Sequence, residues 1–287
     1  MLKVRKNHQL VVSIDTMVAD IHFHRSMSPE EIGYKLLAVN LSDIAAMGAT
    51  PLAASLRVSI PEGNATWLDN LQSAVSKNLS DWGLYLLTQE VCAGPLNLSL
   101  QIYGEVLTNS ALLRSGAQVG DQIYVTGTLG DAGVGLAVLH ETYDISPEAA
   151  NYFLGKLTHP TPRVAIGQGL LPLASAAIDI SDGLLSDLQH LVTSSGVGAE
   201  INSKLLPLSY EMHTYIERDK AIHYACTAGD DYELCFCCPI KAEEHLQKLS
   251  TRLNIQISRI GRITKDNGIA VIGNNSDVTQ DGYDHFK

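Results

Sequence analysis

Short β-branched runs alternate with stretches of helical spacing along this chain. The alternation breaks once, at the polar, glycine-punctuated stretch Thr108–Gly120. Before the break, Gln9–Ile14, Ile21–Phe23, Leu52–Ile60, Leu84–Leu87 and Leu96–Leu107 read as extended. After it, Gln122–Thr126, Ala177–Ile180, Tyr232–Cys238, Ile255–Ile263 and Ile269–Ile272 do the same. Between them lie helical segments. Ser28-Pro29-Glu30-Glu31 is a helix start, with a Ser cap, Pro in the first turn and acids at the positive end. That helix continues through Tyr34, Leu37, Ala38 and Leu41 and stops near Gly48. Others are expected over Asn64–Asp81, up to His140, from Pro160 to Leu173, from Ser181-Asp182-Gly183 to Ser194, and over Ala242–Leu253. The expectation is an α/β protein in two halves, residues 1–110 and 111–287.

The 287 residues carry 20 Lys+Arg against 31 Asp+Glu, a formal net charge of −11. Such a balance argues against nucleic acid and anionic membranes as partners, because both need a basic surface. A phosphate ligand would need its charge neutralised by something else, and a metal ion is the usual device. No apolar run approaches the roughly 18 residues of a membrane span, and the first residues are polar, so the chain is expected in the cytoplasm. Its five cysteines are odd in number, and Cys235, Cys237 and Cys238 fall within one apolar run; they read as core rather than as a disulfide framework or a zinc site.

Several acids occupy positions where a side chain can face a cleft. Asp15 ends the first strand, and Asp43 sits in the small-residue helix without a basic partner three or four positions away. Asp179 and Asp182 frame a strand-to-helix turn, and Asp230-Asp231 follow Gly229 before another strand. Each alone has an ordinary reading as a helix cap, a solvated acid or a turn residue. Together they form a repeated pattern of acids at strand ends beside small residues. That suits a hard cation and a phosphate ligand, since Mg²⁺ takes one or two carboxylates plus phosphate oxygens. Gly127–Gly135 matches neither a P-loop nor Gly-x-Gly-x-x-Gly.

Taken together, these segments resemble the thiamine-monophosphate kinase family within the aminoimidazole ribonucleotide synthetase-like superfamily. The stretches that carry the resemblance include Asp15–Phe23, Lys35–Pro51, Arg114–Ala117, Gly120–Asp131, Pro160–Arg163, Ile178–Leu184, Gly229–Leu234 and Gly282–Phe286, in the family's order. The resemblance implies a two-domain α/β architecture with mixed sheets and an N-terminal domain that pairs in a homodimer. It implies Mg²⁺-assisted transfer of the γ-phosphoryl group of ATP to thiamine monophosphate. The acceptor is an ionised phosphate oxygen, so no general base is assigned, and positioning and charge neutralisation should supply the catalysis. By the same resemblance, Asp15, Asp43, Glu90, Asp179 and Asp182 match metal ligands. Arg114 and Ser181 match ATP-binding positions, with Trp82 near the adenine, and His22, Asp230 and Tyr283 match thiamine-phosphate positions.

Two departures from the family pattern bear on activity. The family carries a Gly-Asp-Asp-Ala segment upstream of the strand of Asp15, and this sequence starts at Met1, after it. The family's Gly-Gly-Asp-Thr-Thr is Thr88-Gln89-Glu90-Val91-Cys92 here, which places Glu90 on the Asp position and removes two glycines that let backbone approach phosphate. The alternatives are a kinase with a rearranged site and a catalytically impaired homologue that keeps the fold, the dimer and nucleotide binding.

Overall fold

The structure is a computed structural model and describes residues 2–61 and 64–273. Its first half contains β1 (His8–Val18), α1 (Pro29–Ala46), β2 (Thr50–Ile60), α2 (Ala65–Asp81), β3 (Tyr85–Ala93) and β4 (Asn97–Leu107). The second half contains β5 (Gln122–Thr126), α3 (Asp131–Leu139), α4 (Pro147–Thr158), α5 (Val164–Leu170), β6 (Ala176–Asp179), α6 (Leu184–Ser195) and β7 (Gly198–Asn202). It continues with α7 (Tyr210–Tyr215), α8 (Arg218–Thr227), β8 (Leu234–Cys238), α9 (Glu243–Leu253), β9 (Ile257–Thr264) and β10 (Gly268–Ile272).

The strands form two mixed sheets. One has four strands in the order β1-β4-β2-β3, antiparallel except for the β2–β3 pair. The other has six, ordered β10-β7-β9-β5-β8-β6. Along β1, Val11, Ser13 and Met17 are buried while Leu10, Val12 and Ile14 are exposed, the period-two pattern of a sheet with one covered face. β8 is buried at every position, and its three cysteines are free core residues as expected.

Helix α1 joins the halves. Its start is a capping box: Ser28 Oγ accepts from the Glu31 N–H at 3.2 Å, and Glu31 Oε2 accepts from the Ser28 N–H at 2.8 Å. Beyond that first turn it is buried on most sides, so it is a central helix rather than an amphipathic cover. Leu36, Leu37, Leu41 and Ile44 belong to one hydrophobic core with Leu170, Ala177, Leu234 and Phe236 of the second half. The approach of α5 is close: a Cβ on Gly167 would lie 1.9 Å from the Ala45 carbonyl oxygen, so only glycine fits there.

Several sequence expectations are corrected. β1 continues three residues past Asp15, to Val18, so Asp15 lies within the strand and not at its end. Ile21–Phe23 is a tight turn closed by the Asp20 N–H to Phe23 carbonyl bond at 2.8 Å, not an extended piece. β3 runs to Ala93, well past Leu87, because its backbone pairs with β2 as far as Ile60. α5 ends at Leu170, short of Leu173. α4, β7, α7 and α8 were not expected from the sequence. Tyr283 and the terminal Gly282–Phe286 lie outside the described residues.

Candidate active site

Two cavities open where the halves meet, and the strand β1 separates them. The larger, about 790 Å³, is lined by Asp15, His22, Lys35, Ser181, Asp182 and Asp230 among others. The smaller, about 560 Å³, is lined by Ser13, Asp43, Arg114 and Asp179. Ile14 lines both, so the two cavities adjoin along β1.

Three of the sequence-nominated carboxylates come together here from three elements. Asp15 projects from the covered face of β1, Asp43 from α1 and Asp179 from the end of β6. Burial pushes Asp15 up to about 7, with further upward pushes from the charges of Asp43 and Asp179. Burial also raises Asp179 to about 7, followed by the Asp43 charge, against the Ser42 hydroxyl that donates to it at 2.7 Å. Asp43 is raised by burial and held down by Ser13, whose hydroxyl donates at 2.6 Å, and by the positive charge of Arg114. Adjacent residues of α1 therefore serve the site in opposite directions: Ser42 anchors the acid of the second half, and Asp43 is anchored by β1.

The N-cap of α6 is Gly183, at the end of the Ser181-Asp182-Gly183 turn. Gly183 has φ +116 and makes no side-chain cap, and a Cβ there would lie 2.6 Å from the Thr227 carbonyl oxygen. The turn is held by Asp187, which accepts from the Ser181 N–H at 2.9 Å and the Asp182 N–H at 3.0 Å. Burial drives Asp187 up to about 7 against those bonds. Asp187 is a supporting residue that the sequence reading missed; the available signal was an acid in the first turn of α6.

On the side of the larger cavity, His22 Nδ1 accepts from the Val18 N–H at 3.1 Å, so the ring's proton sits on Nε2. Asp230 stands in the left-handed conformation at φ +70, and so does Tyr232 at φ +50. The loop that carries them is fastened on both flanks. The Asp230 N–H donates to Ser181 at 2.9 Å and the Tyr232 N–H to Ile180 at 2.8 Å, while Asp231 accepts from the Gly130 N–H at 2.7 Å. Behind the loop, Glu233 receives a two-pronged pair from Arg163, one arm at 2.6 Å, and the Thr126 hydroxyl at 2.5 Å.

Two nominated residues do not join this group within one chain. Glu90 lies on the edge strand β3, largely exposed, 3.6 Å from Arg57. Trp82 closes α2 and is 40% exposed. Neither lines either cavity.

The oxygen-only donor set fits a hard divalent cation. Asp15, Asp43 and Asp179 raise one another's affinity for positive charge, and a bound cation would relieve that repulsion. Among the described residues, no three His, Cys, Asp or Glu side chains already converge into a cage.

Comparison with known proteins places the chain in a family. Residues 1–106 match the AIR synthase related protein, N-terminal domain, and residues 118–274 match its C-terminal domain. The chain is 40% identical to the thiamine-monophosphate kinase of Salmonella typhimurium over 290 residues, covering 100% of this chain and 89% of that protein. The Escherichia coli K12 kinase gives the same identity and coverage. Among solved structures, the thiamine-monophosphate kinase from Stenotrophomonas maltophilia superposes with a TM-score of 0.91 at 37% identity, over 96% of this chain and 89% of that one. AaThiL complexed with AMPPCP and TMP superposes with a TM-score of 0.86 at 29% identity, over 99% of this chain and 89% of that one. With this identity along its whole length, and with acids from β1, α1 and β6 gathered between two cavities, the chain belongs to the thiamine-monophosphate kinase family.

Proposed function

We propose that this protein transfers the γ-phosphoryl group of ATP to thiamine monophosphate, giving ADP and thiamine diphosphate. The observation that carries the reading is the pair of cavities parted by β1, with Asp15 on one side and Asp43 and Asp179 on the other. Two anionic substrates entering from opposite sides would meet at these acids. Both volumes lie in the range of small-molecule sites, roughly 300–1,000 Å³.

The smaller cavity takes the nucleotide's phosphates. Arg114 faces them there, while Ser181, the other nucleotide candidate, lines the larger cavity beside Asp182 and would meet the nucleotide from that side. The larger cavity takes thiamine monophosphate, with the Nε2–H of His22 and the carboxylate of Asp230 as polar anchors. Asp15, Asp43, Asp179 and Asp182 hold Mg²⁺, which when bound neutralises the charge of the phosphates. The acceptor oxygen is already ionised, so the residues align it with the γ-phosphorus and exclude water rather than remove a proton. Tyr283 remains a candidate for the thiamine side.

The protein acts as a homodimer in this reading. The exposed face of the four-stranded sheet carries Leu10, Val12 and Ile14, all close to half exposed or more in the single chain, and sheet faces of this kind pack against another sheet. β1 and β3 are opposite edges of that sheet, three strand spacings or about 14 Å apart. Glu90 and Trp82 both belong to the β3 side, so a second copy would bring both to the site together. The division of labour then follows the halves. Residues 1–110 dimerise and bind metal and substrate, and residues 111–287 bind nucleotide and substrate. The described residues contain no helix long and apolar enough to cross a membrane, and the free cysteines suit the reducing cytoplasm.

Calorimetric titration tests the two-cavity reading. Thiamine monophosphate should bind to protein already saturated with Mg²⁺ and a non-hydrolysable ATP analogue. Mutual exclusion of the two ligands would refute separate cavities. Light scattering on the same sample should give twice the 31.0 kDa chain mass; a value matching the single chain would refute the dimer.

A further inference from the structure

We infer that Lys35 is a positioning residue for the acceptor side of the site, and that with Tyr232 it forms a clamp presenting the Asp230 carboxylate to thiamine monophosphate. This rests on the reading that Asp230 binds that substrate.

Lys35 is 2% exposed, an unusual placement for a lysine, which is almost never fully buried unless paired. Its partner is identified: Nζ lies 3.1 Å from Asp230 Oδ1, and the Asp230 side chain is 32% exposed. One member of the pair is thus sealed in the core and the other faces the larger cavity, whose lining includes both. Tyr232 stands beside it, its hydroxyl held well above the ordinary tyrosine pKa by burial and then by the Asp230 charge.

The two contacts restrain a residue whose backbone is already unusual. Asp230 sits at φ +70, a conformation an aspartate tolerates in a turn but that leaves its side chain able to swing toward solvent. The loop's backbone bonds to Ser181 and Ile180 fix where its Cα stands but not where its carboxylate points. Lys35 reaches it from α1, in the other half of the molecule, so the ion pair also ties the acceptor anchor to the helix that carries Asp43.

The pair also sets what Asp230 can recognise. With one oxygen committed to an ammonium ion, the carboxylate carries little net charge toward the cavity. It therefore suits a neutral N–H donor, such as the amino group of an aminopyrimidine, better than a cationic ring.

The test is a double-mutant cycle on the full-length protein with steady-state kinetics. Asp230→Asn is expected to raise the KM for thiamine monophosphate about tenfold, equivalent to ~1.4 kcal/mol. Lys35→Met should raise it by a similar factor, leaving the KM for ATP within about twofold, and Lys35→Arg should recover much of the loss. Adding Lys35→Met to Asp230→Asn should cost nothing more, because Lys35 acts only through Asp230. If Lys35→Met fails to fold, the double variant, which leaves no unpaired buried charge, is compared with Asp230→Asn alone: an equal KM for thiamine monophosphate supports the clamp, and a further rise overturns it. An unchanged KM in Lys35→Met while Asp230→Asn raises it would overturn the clamp and spare Asp230. An unchanged KM in Asp230→Asn would overturn the substrate reading and the clamp with it. Equal rises in both KM values for Lys35→Met would return Lys35 to a purely structural role.

Discussion

Asp179→Asn is expected to lower kcat by about 10²–10³-fold, the range seen when one preorganised electrostatic group is lost, while making the metal-free protein more stable to heat. The two effects have one cause. Asp179 is 5% exposed and lies within the field of Asp43, so burial and repulsion raise its pKa to about 7. Asparagine keeps the oxygen that accepts from Ser42 and removes the charge. The sign of the pH dependence follows by linkage. Between the ordinary carboxylate pKa near 4 and about 7, the folded chain holds protons that the unfolded chain releases, so stability falls as pH rises through that window. Asp15 and Asp187 act in the same direction. Without metal, the wild type should therefore melt at a lower temperature at pH 8 than at pH 5, and Asp179→Asn should reduce the difference. On the proposed assignment, Mg²⁺ should raise the melting temperature more at pH 8 than at pH 5. Melting curves that ignore both pH and Mg²⁺ would show that these acids are not a strained cation site.

The second large effect is on the scaffold behind the acceptor loop. Arg163 and Glu233 are only 13% and 6% exposed, and Glu233 follows directly on the loop of Asp230 and Tyr232. Arg163→Met should destabilise the protein by about 3–5 kcal/mol, the cost of leaving one member of a buried pair alone. That corresponds to a melting temperature lower by on the order of 10 °C. Adding Glu233→Gln should recover part of the loss, because the remaining side chain is uncharged and can still accept from Thr126. A melting temperature within about 2 °C of wild type for Arg163→Met would show the pair to be solvated in solution.

Much of this molecule was legible in the sequence, and the failures share a physical origin. Local chemistry read well. The Ser28-Pro29-Glu30-Glu31 start became a capping box, and the apolar run with three cysteines became a buried strand. The same Ser-Pro-Glu signal stands at Ser146-Pro147-Glu148, where it opens α4 with a Ser cap. α8 gave less to read, since its cap is Glu217, a residue seldom used there. Within the site, Asp15, Asp43 and Asp179 were identified as acids beside small residues, but their mutual proximity depends on α1 lying between two sheets. Glu90 and Trp82 were legible as motif positions and not as places. Strand order, set by long-range pairing, puts β3 at the far edge from β1, and nothing local to β3 records that. Lys35 has no role legible in the sequence beyond opening one family stretch, because its partner Asp230 lies almost two hundred residues away.

The most direct test of the central claim follows the phosphoryl group itself. The purified chain is incubated with Mg²⁺, thiamine monophosphate and ATP labelled on its γ-phosphorus, and the products are separated. The account predicts label in thiamine diphosphate in step with ADP, with the label lost in Asp179→Asn. ADP formed with label only in inorganic phosphate, or no turnover from a folded dimer that binds both substrates, would contradict it.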